Sequence, residues 1–90
     1  MDKQIELVDV DLIREQIHDF LTINFLYGGN VRLDDDASLL EQGVLDSTGV
    51  LELVLFVEET YAISVAEADL VPENFDTINS VTAFVAMHVE

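Results

Sequence analysis

Between Ser47 and Tyr61 the chain sets Val50, Leu51, Leu53, Val54, Leu55, Phe56 and Val57 almost without polar interruption. A helix built from this stretch is apolar nearly all round, so it either lies at the centre of a bundle or meets a partner. The β-branched residues Val50, Val54 and Val57 lower helix propensity, yet their spacing suits a helix better than the strict alternation of a strand. The reading expects Leu51, Val54, Val57 and Tyr61 on the buried face. The polar groups that remain visible are mostly acids: Glu52, Glu58 and Glu59.

Other segments supply the cover. From about residue 9 to 26, Leu12, Ile13, Ile17, Phe20, Leu21 and Phe25 recur at helical spacing, with Asp9 or Asp11 placed to cap the first turn and Gly28-Gly29-Asn30 placed to end the helix. Residues 31–45 show no sustained period and read as a long loop, with a short turn at Ala37 to Leu40. Leu33, Leu39, Leu40, Val44 and Leu45 are expected to pin that loop to the core. Ala66 to Val71 suits a short third helix that Pro72 stops, because proline disfavours helix in the residue before it. A fourth helix starts near Asn79 or Ser80 and carries Val81, Phe84, Val85 and His88. Three longer helices, one short one and a long loop between the first two make an all-α four-helix bundle, a single domain over residues 1–90.

Ninety residues with half of them apolar suffice for one modest core and exclude a disordered acidic tail. Nineteen acids against Lys3, Arg14 and Arg32 give a net charge of −16, which repels nucleic acid and anionic membranes and favours basic protein surfaces as partners. The same charge serves solubility and is expected to keep the domain monomeric. With no cysteine there are no disulfides and no thiolate metal sites. The N-terminal residues lack a signal-peptide pattern and no segment has the apolar length of a membrane span, so a cytoplasmic protein is expected.

The chemistry gathers at Asp46-Ser47, which closes the glycine-containing loop Leu40-Glu41-Gln42-Gly43-Val44-Leu45 and opens the apolar helix. A serine at a helix start usually caps it by accepting a backbone N–H. If Asp46 takes that role, Ser47 becomes the first helical residue and its hydroxyl faces solvent. A phosphodiester on that hydroxyl would meet the unpaired N–H groups and the positive end of the helix. Gly43 and Gly49 read as a turn former and a small helix-start residue that also leave room for a large enzyme to reach Ser47.

The stretch from Leu40 through Asp46-Ser47-Thr48-Gly49 to Tyr61, followed by Val71-Pro72-Glu73-Asn74-Phe75-Asp76-Thr77-Ile78-Asn79-Ser80-Val81, resembles the prosthetic-group site and last-helix approach of acyl and peptidyl carrier proteins. The resemblance covers nearly the whole chain. It implies a non-catalytic carrier whose Ser47 receives 4′-phosphopantetheine from coenzyme A through a phosphopantetheinyl transferase. The arm's thiol then holds acyl or aminoacyl groups as thioesters for biosynthetic enzymes. By the same resemblance Thr48, Glu52, Leu55, Glu58 and Glu59 would dock partners, while Leu51, Val54 and Val57 would be buried. Thr48 and Gly49 depart from the fatty-acid type, and Pro72-Glu73-Asn74-Phe75 looks more like carriers loaded by an adenylating ligase than by an acyltransferase.

Competing chemistries fare worse. Ser47 has glycine on only one side and no preceding strand, so it is no nucleophile elbow. A calcium loop begun at Asp34 would put Leu39 and Leu45 where glycine and a bidentate glutamate are needed. His18 and His88 sit at the edges of apolar stripes and read as helix-surface or core-edge residues. The rival of another class is an unmodified acidic helical adaptor that binds basic surfaces, and the two readings part at Ser47.

Overall fold

The computed structural model describes residues 9–25 and 33–89. Within them four α-helices follow one another: α1 (Val10–Phe25), α2 (Ser47–Tyr61), α3 (Pro72–Phe75) and α4 (Ile78–His88), with a 3-10 turn at Glu67–Asp69. The architecture is the expected all-helical bundle of acyl-carrier type. Gly28-Gly29-Asn30, expected to end the first helix, lies outside the described residues. Among the described residues no helix is long and apolar enough to cross a membrane.

Helices α1, α2 and α4 each begin where a side chain accepts a hydrogen bond from one of the first N–H groups. Asp9 Oδ1 accepts the Leu12 N–H at 3.0 Å to start α1. Thr77 and Ser80 form a reciprocal capping box at α4, so that helix begins at Ile78, slightly earlier than expected. Pro72 corrects the sequence reading more sharply. It does not stop a helix over Ala66 to Val71, which forms only the 3-10 turn; it opens α3 as the first helical residue, where its missing N–H has no intrahelical partner to lose.

The core is a single cluster drawn from all four α-helices and the loop before α2. Ile13, Ile17 and Leu21 come from α1, Leu53, Val54 and Val57 from α2, Phe75 from α3, and Ile78, Val81, Phe84 and Val85 from α4. Burying side chains of this size stabilises by about 1.5–3 kcal/mol each before conformational entropy is subtracted. Helix α4 packs on α1 and α3. Phe20 of α1 stacks on Phe56 of α2 with ring centroids 4.2 Å apart, and the Tyr61 hydroxyl donates to Gln16 Oε1 at 2.7 Å.

Leu33, Leu39, Val44 and Leu45 do anchor the loop before α2, but Leu40 is 44% exposed and Leu12 of α1 faces outward as well. Polar ties complete the anchoring. Arg14 Nε donates to Asn79 Oδ1 at 2.9 Å, and Asn79 in turn donates its side-chain N–H to Asp36 Oδ1 and its backbone N–H to the Asp35 carbonyl. The loop is thus held between α1 and the start of α4 while its last residues present Ser47.

Candidate functional site: the start of helix α2

Asp46 is extended, at φ −114° and ψ −172°, and its Oδ1 accepts the Gly49 N–H at 2.7 Å while its carbonyl accepts the Val50 N–H at 2.9 Å. It is therefore the cap. Ser47 is the first helical residue and is exposed, and among the described residues its hydroxyl has no hydrogen-bond partner. Gly43, at φ +75°, turns the loop just upstream in a conformation that L side chains rarely adopt.

Gly49 plays a different part from the one its sequence context suggested. It is buried, and a Cβ there would lie 3.1 Å from both Leu45 Cδ2 and Phe25 Cε1. Its small size lets the start of α2 approach α1 closely and opens no path for an enzyme.

The buried stripe of α2 is Gly49, Leu53, Val54 and Val57, with Tyr61 half-buried beyond it. Leu51 is not part of it. At 55% exposure it lies with Leu55, at 56%, on the opposite face together with Thr48, Glu52 and Glu59. The expectation that Leu51 is buried fails because Leu51 and Leu53 are chemically alike and hydropathy alone cannot choose between stripes one step apart. The neighbours do choose: Thr48, Glu52, Leu55 and Glu59 follow one another at steps of four, three and four along one face, and Leu51, three residues from Thr48 and four from Leu55, shares it. Glu58 is half-buried, and its Oε2 accepts the Val65 N–H at 2.8 Å, so one of its oxygens is engaged in holding the segment after α2.

Beside Ser47 lies an open groove of about 270 Å³. Leu40 of the loop, Val50 of α2, and Leu70, Val71, Pro72 and Phe75 of the following segment give it apolar walls, with Asp76 at the edge. The histidines stand elsewhere. His18 is half-exposed on α1 with Nδ1 3.9 Å from Asp19, and His88 stacks on Phe84 with Nδ1 2.8 Å from the Phe84 carbonyl.

A small helical bundle with a lone exposed serine opening its second helix defines the class of carrier domains, and the comparisons agree. No protein-family model matches the chain. The probable acyl carrier protein PigG of Serratia sp. (strain ATCC 39006) is 27% identical over 74 residues, a match covering 82% of this chain and 85% of that protein. The D-alanyl carrier protein of Abiotrophia defectiva is 36% identical over 59 residues, covering 66% of this chain and 75% of that protein. A solved structure described as "Crystal structure of FAD-dependent dehydrogenase" contains a chain that superposes with a TM-score of 0.68 at 28% identity, over 77% of this chain and 97% of that one. The chain belongs to the acyl and peptidyl carrier protein family.

Proposed function

We propose that Ser47 is the attachment point of 4′-phosphopantetheine, placed there by a separate phosphopantetheinyl transferase, and that the chain presents acyl or aminoacyl groups held as thioesters to partner enzymes. The observation that carries this reading is the division of labour at the start of α2: Asp46 caps the helix, which leaves the exposed Ser47 hydroxyl for chemistry. When attached, the group supplies the thiol that this cysteine-free chain lacks. In the transfer the Ser47 oxygen forms the new bond to phosphorus, the bond to the nucleotide half of coenzyme A breaks, and the serine proton passes to the transferase.

The local residues suit such a group. The positive end of α2 favours an anion at its first turn by up to about 1 kcal/mol at an exposed site. The adjoining groove offers apolar walls to the arm and a short cargo. The core behind it is filled by Phe75 and Phe84, both buried, and a close-packed interior leaves no room for a long acyl chain.

Partners dock, in this reading, on the exposed face of α2 through Thr48, Leu51, Glu52, Leu55 and Glu59, with Glu58 adding charge. A basic patch on the enzyme complements those acids, and an apolar recess takes the two leucines. An adenylating ligase supplies a short acyl or aminoacyl group, in preference to an acyltransferase; the D-alanyl carrier relative and the Pro72-Glu73-Asn74-Phe75 approach to α4 both favour this. The similarity to a chain in a dehydrogenase structure favours a flavin-dependent dehydrogenase as a further partner acting on the tethered group. These exchanges belong to the cytoplasm, where coenzyme A is at hand.

Intact-mass analysis after incubation with coenzyme A and a broad-specificity transferase tests the reading. One phosphopantetheine is expected on the wild-type chain and none on Ser47→Ala, with helical circular dichroism alike in both. A wild-type chain left unmodified by several active transferases overturns the proposal and points to the unmodified adaptor.

A further inference from the structure

Asp76, the residue between α3 and the Thr77 cap of α4, turns three of its oxygens toward the loop before α2. Its carbonyl accepts the Leu39 N–H at 2.7 Å, Oδ2 accepts the Ser38 hydroxyl at 2.6 Å and Oδ1 accepts the Leu40 N–H at 3.1 Å. The Ser38 oxygen accepts the Glu41 N–H in turn, at 3.1 Å. Asp76 thereby gathers four consecutive residues of the loop, 38 to 41, into one hydrogen-bonded knot.

This knot stands at the groove beside Ser47. Leu40 forms one wall, while Leu70, Val71, Pro72 and Phe75 form the wall across from the α2 residues, and Asp76 itself lines the edge. Leu39 is fully buried beneath, so the loop cannot slide without pulling a leucine from the core. The walls are otherwise apolar and impose no direction on one another. Hydrogen bonds to a carboxylate are stronger than neutral ones and directional, so they fix the position of Leu40 as apolar contact cannot.

We propose that the Asp76–Ser38 pair is a positioning latch for the prosthetic arm: by holding Leu40 against the α3 segment it sets the width of the groove, and so the degree to which a group tethered to Ser47 withdraws from water. The proposal rests on the reading that Ser47 carries the arm. Asp76 lines only the edge of the groove, and neither it nor Ser38 stands on α2, so the latch acts through Leu40.

The test loads Ser47 with a pantetheine bearing an environment-sensitive fluorophore and compares wild type with Asp76→Ala, Ser38→Ala and Ser38→Thr. In wild type the emission is expected to be blue-shifted from that of the free arm. Both alanine variants are expected to shift it to the red and raise its quenching by iodide, and in Asp76→Ala, which loses the acceptor of the Leu40 N–H, Leu40 amide exchange should accelerate about fivefold. Ser38→Thr keeps the hydroxyl and should restore the wild-type spectrum, and the transferase KM should stay unchanged throughout. If Asp76→Ala fails to fold, as circular dichroism would reveal, Ser38→Ala carries the test alone. Alanine variants that gain the expected mass but match the wild-type spectrum overturn the latch, as does a wild-type probe as exposed as the free arm or a red-shifted Ser38→Thr. Absence of the mass gain in wild type overturns instead the reading on which the latch rests.

Discussion

The Asp46 carboxylate and the Gly49 N–H, 2.7 Å apart, form the bond that caps α2 and leaves free the hydroxyl of Ser47, which lies between them in the chain. It uses a negative charge at the positive end of α2, where charge and cap reinforce each other. Asp46→Ala should therefore lower the unfolding free energy by about 1 kcal/mol, read from the urea midpoint at constant m. Asp46→Asn retains an acceptor of equal reach and should stay close to wild type. A large loss in the asparagine variant would show that charge, and not the cap, is what holds the start of α2.

Gly49 is where sequence and packing pull apart. Replacing glycine by alanine in a helix usually stabilises, by up to about 1 kcal/mol. Here the new Cβ meets Leu45 Cδ2 and Phe25 Cε1 at 3.1 Å each, and Leu45 is buried with little freedom to give way. Overpacking of this kind costs about 1–3 kcal/mol. The balance predicts that Gly49→Ala destabilises by about 1 kcal/mol, with the α1–α2 contact loosened. Thermal melts of Gly49→Ala alone and with Leu45→Ala test it: the second substitution makes room, so the two effects should be less than additive.

Local signals made most of the bundle legible. Helical spacing marked α1, α2 and α4, and the Asp46-Ser47 order marked the cap and the exposed hydroxyl. Leu51 misled because a helix apolar all round offers several equivalent stripes, and only the series Thr48, Glu52, Leu55 and Glu59, each three or four residues from the next, distinguishes the wet one. Pro72 misled because proline both excludes a helix before it and favours one that it begins. The Asp76 knot left no signal in the sequence: its side-chain partners Ser38 and Leu40 stand 38 and 36 residues away, and only the fold brings them together.

Helix α2 ends on Ala62 in the left-handed region, at φ 56° and ψ 44°, with a Cβ that glycine would not carry. L-residues other than glycine pay about 1 kcal/mol or more for that conformation. Glycine also costs more entropy to order, so the net gain is smaller than the strain relieved. Ala62→Gly should stabilise the chain by about 0.5 kcal/mol, and a melting temperature below wild type would count against the strained cap.

Tyr61 titrates in a sense that can be checked. Burial disfavours its phenolate and raises its pKa from the ordinary 10.0. The folded pKa then exceeds the unfolded one, so the contribution of the neutral phenol is fully present below pH 10 and is lost as pH rises through the folded pKa. Ionisation would also remove the proton that Tyr61 donates to Gln16 Oε1. Ultraviolet titration of a Tyr27→Phe chain, which isolates Tyr61, should give a midpoint above 10.0, and Tyr61→Phe should flatten the alkaline fall in stability. A midpoint at or below the ordinary value would contradict the burial.

The exposed face of α2 pairs two leucines with two acids, and the two kinds of residue should fail differently when removed. Leu51 and Leu55, each more than half exposed and four residues apart, offer a partner apolar area whose burial depends little on ionic strength. On the docking face proposed above, Glu52 and Glu59 should act at longer range by steering, which fades as the screening length falls to about 8 Å at physiological salt. Leu51→Ala should therefore raise the transferase KM severalfold at low and high salt alike. Glu52→Gln should slow modification at low salt and matter less as salt rises. Leu51 lies outside the core, so its truncation should leave the unfolding free energy within about 0.5 kcal/mol of wild type, where truncation of the buried Leu53 would cost about 2–5 kcal/mol. A Leu51→Ala chain that melts early but is modified normally would return Leu51 to the core and remove it from the docking face.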